Sequence, residues 1–140
     1  MPPGSSVVGA SGDRLPFSEG FSGNLSLEQT FPLTALSPGV TGFVGGSVSY
    51  VPDRVGQFSS VYLSPPERQD LPAYTKIDLR AGVHYDTWSL NLYVNNLADK
   101  RGVLDGGLDL IPTNAFLFIQ PRTIGMAVSK TCLLYTSRCV

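Results

Sequence analysis

Charge is scarce in this chain. Asp, Glu, Lys and Arg supply 15% of its 140 residues, against about 25% in an ordinary soluble domain, so a fully wetted exterior is not what the composition describes. The two signs nearly cancel, with a net charge of -1 and a pI near 5.7. That balance gives no basic footprint for nucleic acid and no polybasic surface for anionic lipid. Histidine occurs once, as His84, and both cysteines, Cys132 and Cys139, fall in the last nine residues. One histidine without clustered thiols or spaced carboxylates makes no metal centre, so no cofactor or metal is expected. Long apolar runs are missing too. The stretch from Ala115 to Ile119 is far short of the roughly 20 residues of a membrane-crossing helix, which leaves crossing by strands open. The opening MPPGSSVVGASGD has neither a basic region nor a sustained apolar one, so no secretory signal is visible.

What is abundant points to strands and turns. The chain holds 15 Gly and 11 Pro and is 42% apolar, a poor composition for a helical bundle. Apolar side chains recur at every second position in five runs. In the first, Phe21, Leu25, Leu27 and Phe31 alternate with Ser22, Asn24, Ser26 and Glu28. In the second, Val40, Val44, Val48 and Tyr50 share one side with Gly42 and Gly46, and Phe43 is the one exception on the other. The third sets Ile77, Leu79, Ala81, Val83 and Tyr85 against Lys76, Asp78, Arg80 and His84. Trp88, Leu90, Leu92 and Val94 make the fourth run, and Ile124, Met126 and Val128, after Pro121, the fifth. The expected strands are 21–31, 40–51, 74–85, 88–98 and 115–130, an all-β antiparallel meander.

Connections alternate in length. PLTALSPG joins the first two runs and Asp86-Thr87 alone joins the third and fourth, a two-residue hairpin. The other two connections are long: 21 residues from Pro52 to Pro72, and 16 from Asp99 to Asn114. Compact domains seldom carry such loops without reason, and short turns on one rim with long loops on the other are the habit of outer-membrane barrels. Phe21 and Phe31 lie ten residues apart, which is about 33 Å of strand and roughly 25 Å along a barrel axis at 40° tilt, the height of the expected apolar band. Phe31, Tyr85 and Trp88 then fall at the short-turn rim, and Phe21 and Tyr50 at the long-loop rim. The alternative is a small soluble antiparallel β binding domain, extracellular or periplasmic, whose apolar face is its core.

Three stretches carry a family resemblance. LPAYTKIDLRAGVHYDTWSLNLYVNNLADKRG, Leu71 to Gly102, resembles the penultimate hairpin of TonB-dependent outer-membrane receptors. Its tail from Asn95 to Arg101 matches the family's N-L-x-D-K after a strand, through Asn96, Leu97, Asp99 and Lys100; the aromatic that often follows the Lys is absent. GDRLPFSEGFSGNLSLEQ, Gly12 to Gln29, is similar to an earlier strand with its Leu-Pro lead-in, and QPRTIGMAVSK, Gln120 to Lys130, to the closing strand. The matches cover most of residues 12 to 130.

The resemblance implies a segment of a 22-stranded transmembrane β-barrel in the bacterial outer membrane, unable to close alone. Residues 1–20 are then the remnant of an extracellular loop, 21–130 the C-terminal barrel strands and 131–140 a non-native tail. It implies energy-coupled import of a scarce nutrient and no enzyme activity. The implied partners are outer-membrane lipid and, in the full-length receptor, an N-terminal plug, TonB and a small nutrient ligand, with no nucleic acid. Asn96, Leu97, Asp99 and Lys100 are implied to be structural, and no catalytic, cofactor or metal residue is expected.

The final CLLYTSRCV can be back-translated as TGT CTC TTA TAC ACA TCT AGA TGT GTA, which resembles the mosaic end of a sequencing-library transposon meeting its inverted copy. Residues 132–140 are therefore expected to be adapter rather than protein, displacing the terminal aromatic that closes family barrels. The nucleotide record decides this, and a disulfide between Cys132 and Cys139 is the alternative. Among the remaining polar residues, His84 is expected on the lumen face near the short turns, and Lys76, Asp78 and Arg80 in an ion-pair ladder with neighbouring strands or with the plug. Arg54, Tyr62, Glu67, Arg68, Asp105 and Asp109 are the loop residues within reach of an arriving ligand, in a class of residues of which most meet only water.

Overall fold

A computed structural model describes residues 11–57, 68–106 and 115–131. Among them there is no helix, and the strands run β1 Gly23–Pro32, β2 Val40–Val51, β3 Arg54–Val55, β4 Asp70–Leu71, β5 Tyr74–Tyr85, β6 Trp88–Asn95, β7 Val103–Gly106, β8 Phe116–Phe118 and β9 Thr123–Lys130. The five long ones form a single antiparallel sheet in the order β1-β2-β5-β6-β9. Among the described residues the sheet's two outer strands, β1 and β9, each pair on one side only.

Register assembles the apolar positions of all five strands on one face. Leu27 lies opposite Gly46, Gly46 opposite Leu79, Leu79 opposite Val94 and Val94 opposite Ile124. The next row runs Gln29, Val44, Ala81, Leu92, Met126, and the one after it Phe31, Gly42, Val83, Leu90, Val128. A one-residue slip of any strand would turn its apolar set to the opposite face, so this concordance is what fixes the pairing. Beyond the short-turn rim, where Leu33 lies against Gly42, no described residue covers the face: Leu27 is 72% exposed, Val44 51%, Leu79 43%, Leu92 49% and Met126 66%. Among the described residues the only buried large hydrophobics are Val40 and Leu71, both at strand ends.

Both tight connections lie at one end of the sheet. Leu33 to Gly39 joins β1 to β2, and Asp86-Thr87 joins β5 to β6, with Asp86 in the left-handed region at φ 51°. Thr131 donates its amide to the Thr87 carbonyl there at 2.8 Å. At the opposite end the long connections begin as ribbons of their own, β3 with β4 and β7 with β8.

Two expected strands are redrawn. The run at 88–98 stops at Asn95, because Asn96 takes φ 53°, which an extended strand does not accommodate. The run at 115–130 is divided: Phe116–Phe118 pairs with β7 outside the main sheet, and only Thr123–Lys130 joins β6, with Pro121 between. A proline has no amide to give a ladder, which explains the break.

Candidate functional site

The polar face carries the charges of β1 and β5, and they cancel in pairs. Lys76 Nζ meets Asp78 Oδ2 at 2.9 Å along the same strand. Arg80 Nη2 meets Glu28 Oε2 at 2.9 Å, reaching from β5 to β1 across the intervening strand. The residue between them is Gly45, opposite both Glu28 and Arg80, where an added Cβ would stand 3.0 Å from the Leu27 carbonyl and 3.3 Å from Glu28 Cβ. The expected ladder is thus two separate pairs, with Glu28 as Arg80's partner. Both lie at the surface, where an ion pair contributes about 0.2–1 kcal/mol.

Phe43, the exception to the alternation, has a packing reason. It sits opposite Gly82, where a Cβ would come within 2.5 Å of the Phe43 ring, and it stacks on His84 at 5.3 Å between centroids and 21° between planes. His84 is thereby placed on the polar face one residue from the β5–β6 turn. Tyr93 covers Gly125 on the next strand pair in the same way. Each ring fills the space its glycine leaves, an aromatic–glycine pairing that pins register across strands. Phe43→Ala is expected to cost about 1 kcal/mol through the lost stacking and cover, as a lowered unfolding midpoint.

The densest polar arrangement is at the long-loop end, around Asn96. Its side chain is 1% exposed. Nδ2 donates to the carbonyls of Lys100 and Gln120, each at 2.9 Å, and Oδ1 accepts the Lys100 amide at 2.9 Å. The Asn96 amide donates to Asp78 Oδ1 at 2.8 Å, and its carbonyl accepts the Asp99 amide at 2.8 Å. Leu97 donates to the Ile77 carbonyl at 2.8 Å, and Asp99 Oδ1 accepts the Arg122 amide at 2.9 Å. Asp99 itself adopts φ 47°. Four stretches of chain are tied by these bonds: the end of β6, the start of β5, the turn through Lys100 and the approach to β9. The Arg122 amide on the Asp99 carboxylate, helped by the Arg101 and Arg122 charges, holds its pKa below the ordinary 3.8.

Around this knot the loops are fastened by arginines. Arg14 pairs with Asp53 at 2.9 Å, which lowers the Asp53 pKa. Arg68 donates to the carbonyls of Arg14 at 2.7 Å and Gly56 at 2.9 Å, and Arg54 to that of Val103 at 3.0 Å. Phe17 donates to Val55 at 2.8 Å, pinning the segment before β1 against β3. Arg54 and Arg68, expected at the ligand's approach, here brace backbone, and Asp105 accepts the neighbouring Gly106 amide. Tyr62, Glu67 and Asp109 lie outside the described residues, as does the 132–140 segment.

No family model, curated protein or solved structure matches this chain. Its chemistry is therefore read from geometry. Among the described residues no three His, Cys, Asp or Glu side chains gather as a metal ion would need. Sequence reasoning singled out Asn96 by motif and missed its partner Gln120, 24 positions away, for which spacing gives no signal. Phe43 was detectable, because a lone aromatic on the otherwise polar face of a glycine-rich strand asks for a cross-strand explanation.

Proposed function

We propose that this chain is a C-terminal part of the barrel wall of a TonB-dependent outer-membrane receptor, which imports a scarce nutrient by energy-coupled transport. The observation that carries the membrane part of this reading is the uncovered apolar face. Five strands at about 4.8 Å spacing, over ten residues at about 3.3 Å each, present roughly 600–800 Å², where monomeric soluble proteins seldom expose apolar patches beyond a few hundred. Trp88, Tyr85 and Phe31 edge that face at the short-turn end, and Tyr50 at the other. Open edges at β1 and β9 invite further strands, since unpaired backbone in a bilayer must find partners. The energy-coupled step, the plug and TonB rest on the resemblance of residues 71–102, and the knot at Asn96 gives that motif a structural task.

The test is folding with and without an apolar medium. The chain is expected to give a cooperative unfolding transition only in detergent micelles or lipid, and to aggregate in buffer. A monodisperse, detergent-free monomer that melts cooperatively would overturn the membrane reading in favour of a small soluble binding domain. The nucleotide sequence upstream tests the receptor reading separately: a long in-frame extension encoding a plug is expected, and a promoter with a signal peptide immediately before Met1 would sink it.

A further inference from the structure

The balance of charge over the whole chain conceals a local imbalance at the long-loop rim. A cavity of about 440 Å³ opens there, lined by Tyr50, Tyr74, Thr75, Lys100 and Arg101 among others. Lys100 and Arg101 follow Asp99, whose carboxylate Arg101 approaches at 3.5 Å and whose pKa the Arg122 amide, with the Arg101 and Arg122 charges, lowers. Lys100 forms no ion pair among the described residues, and its backbone is held on both sides, amide and carbonyl, by the Asn96 side chain. Its exposed ammonium therefore extends from a fixed base.

The position of this cluster decides what it suits. Tyr50 and Thr75 face each other in the last row of the apolar face, and the next row inward is Val48 and Ile77, followed by Gly46 and Leu79. A ligand seated against Lys100 and Arg101 thus has Tyr50 and Thr75 of the apolar face beside it, with the aliphatic pair Val48 and Ile77 one row further in. That sequence of phosphate-binding cations, an amphipathic ring and an oily wall matches an amphiphile, head and tail in order. We propose that the rim cavity seats the phosphate of a lipid headgroup, with the acyl chain lying over Val48 and Ile77. This rests on the membrane reading of the apolar face. Continuity with the apolar rows favours a lipid over free phosphate, which would have no use for them.

The full chain, bound to vesicles of phosphatidylcholine alone and of phosphatidylcholine doped with phosphatidic acid, tests the seat. Two basic side chains at the surface should tighten binding to the doped vesicles about thirtyfold, with the gain falling as salt rises. Lys100→Gln with Arg101→Gln should abolish the gain while leaving binding to the neutral vesicles unchanged, because the only side-chain tie lost among the described residues is the exposed Arg101–Asp99 pair, and a surface ion pair adds little to stability. Lys130→Gln, at the opposite rim where its ammonium lies 5.0 Å above the Trp88 ring, should leave the gain intact. Equal binding to both vesicles, a gain that survives the double substitution, or a gain lost with Lys130 would overturn the seat and leave the membrane reading standing. Inorganic phosphate that matches phosphatidic acid in affinity would make the cavity a simple anion site and overturn it too. A chain that stays monomeric in buffer and ignores both vesicles would instead remove the membrane reading beneath it.

Discussion

Asn96→Ala is expected to lower stability by about 3–5 kcal/mol, the largest effect of any single truncation in the long-loop end. Two terms combine. The Lys100 amide and the Lys100 and Gln120 carbonyls each lose their partner, and buried polar groups left unsatisfied cost about 1–3 kcal/mol apiece, less where water reaches them. The substitution also leaves alanine at φ 53°, a left-handed conformation that costs an ordinary L-residue about 1–2 kcal/mol. Asn96→Gly separates the two, since glycine accepts that backbone and loses only the hydrogen bonds. Asn96→Asp keeps an acceptor for Lys100 but sets carboxylate oxygen against two carbonyls, so it should resemble alanine more than asparagine. Chemical unfolding in whichever medium the chain folds gives the energies. Hydrogen exchange at the Lys100 and Arg122 amides shows where the loss is felt. If Asn96→Ala unfolds within about 0.5 kcal/mol of the parent, the range of a neutral surface change, the knot is not what ties the loops to the sheet.

That knot also marks where sequence ceases to be a sufficient guide. Strands β2 and β5 fall at 40–51 and 74–85, as alternation alone placed them, because a period of two leaves no other face for Val44, Val48, Leu79 and Val83. The end of β6 and the division of 115–130 were not legible. The first depends on Asn96 turning left-handed to meet carbonyls at Lys100 and Gln120, and the second on β8 finding β7 rather than β6. Ribbons of two to four residues are too short to show a period. The Glu28–Arg80 pair was equally hidden, because it spans a strand that sequence spacing cannot count and is possible only where Gly45 leaves the way clear.

Leu92→Arg separates the two views of the apolar face most sharply. Leu92 lies in the row of Val44, Ala81 and Met126, midway between the Tyr85–Trp88 end and the Tyr50–Thr75 end. If that face meets hydrocarbon, the guanidinium is placed near the midplane, where arginine on the lipid side of a barrel costs about 2–4 kcal/mol. If the face meets water, a residue already 49% exposed gains a charge at a cost within about 0.5 kcal/mol and the chain becomes more soluble. Asn91→Arg is the control. It changes the adjacent residue on the polar face, between Gly82 and Ala127, and should be nearly neutral under either view, because Asn91 borders a cavity that it shares with Glu28, Thr30 and His84. Unfolding of both variants from lipid, compared with the parent, is expected to show a loss for Leu92→Arg alone. Repeating the change at Tyr50, on the same face but at its rim, should cost less than at Leu92, because the penalty falls to about 0–1 kcal/mol near the interface. A depth-dependent loss along one strand face is the signature of hydrocarbon. Equal, small effects at Leu92, Tyr50 and Asn91 would mean the face is wetted.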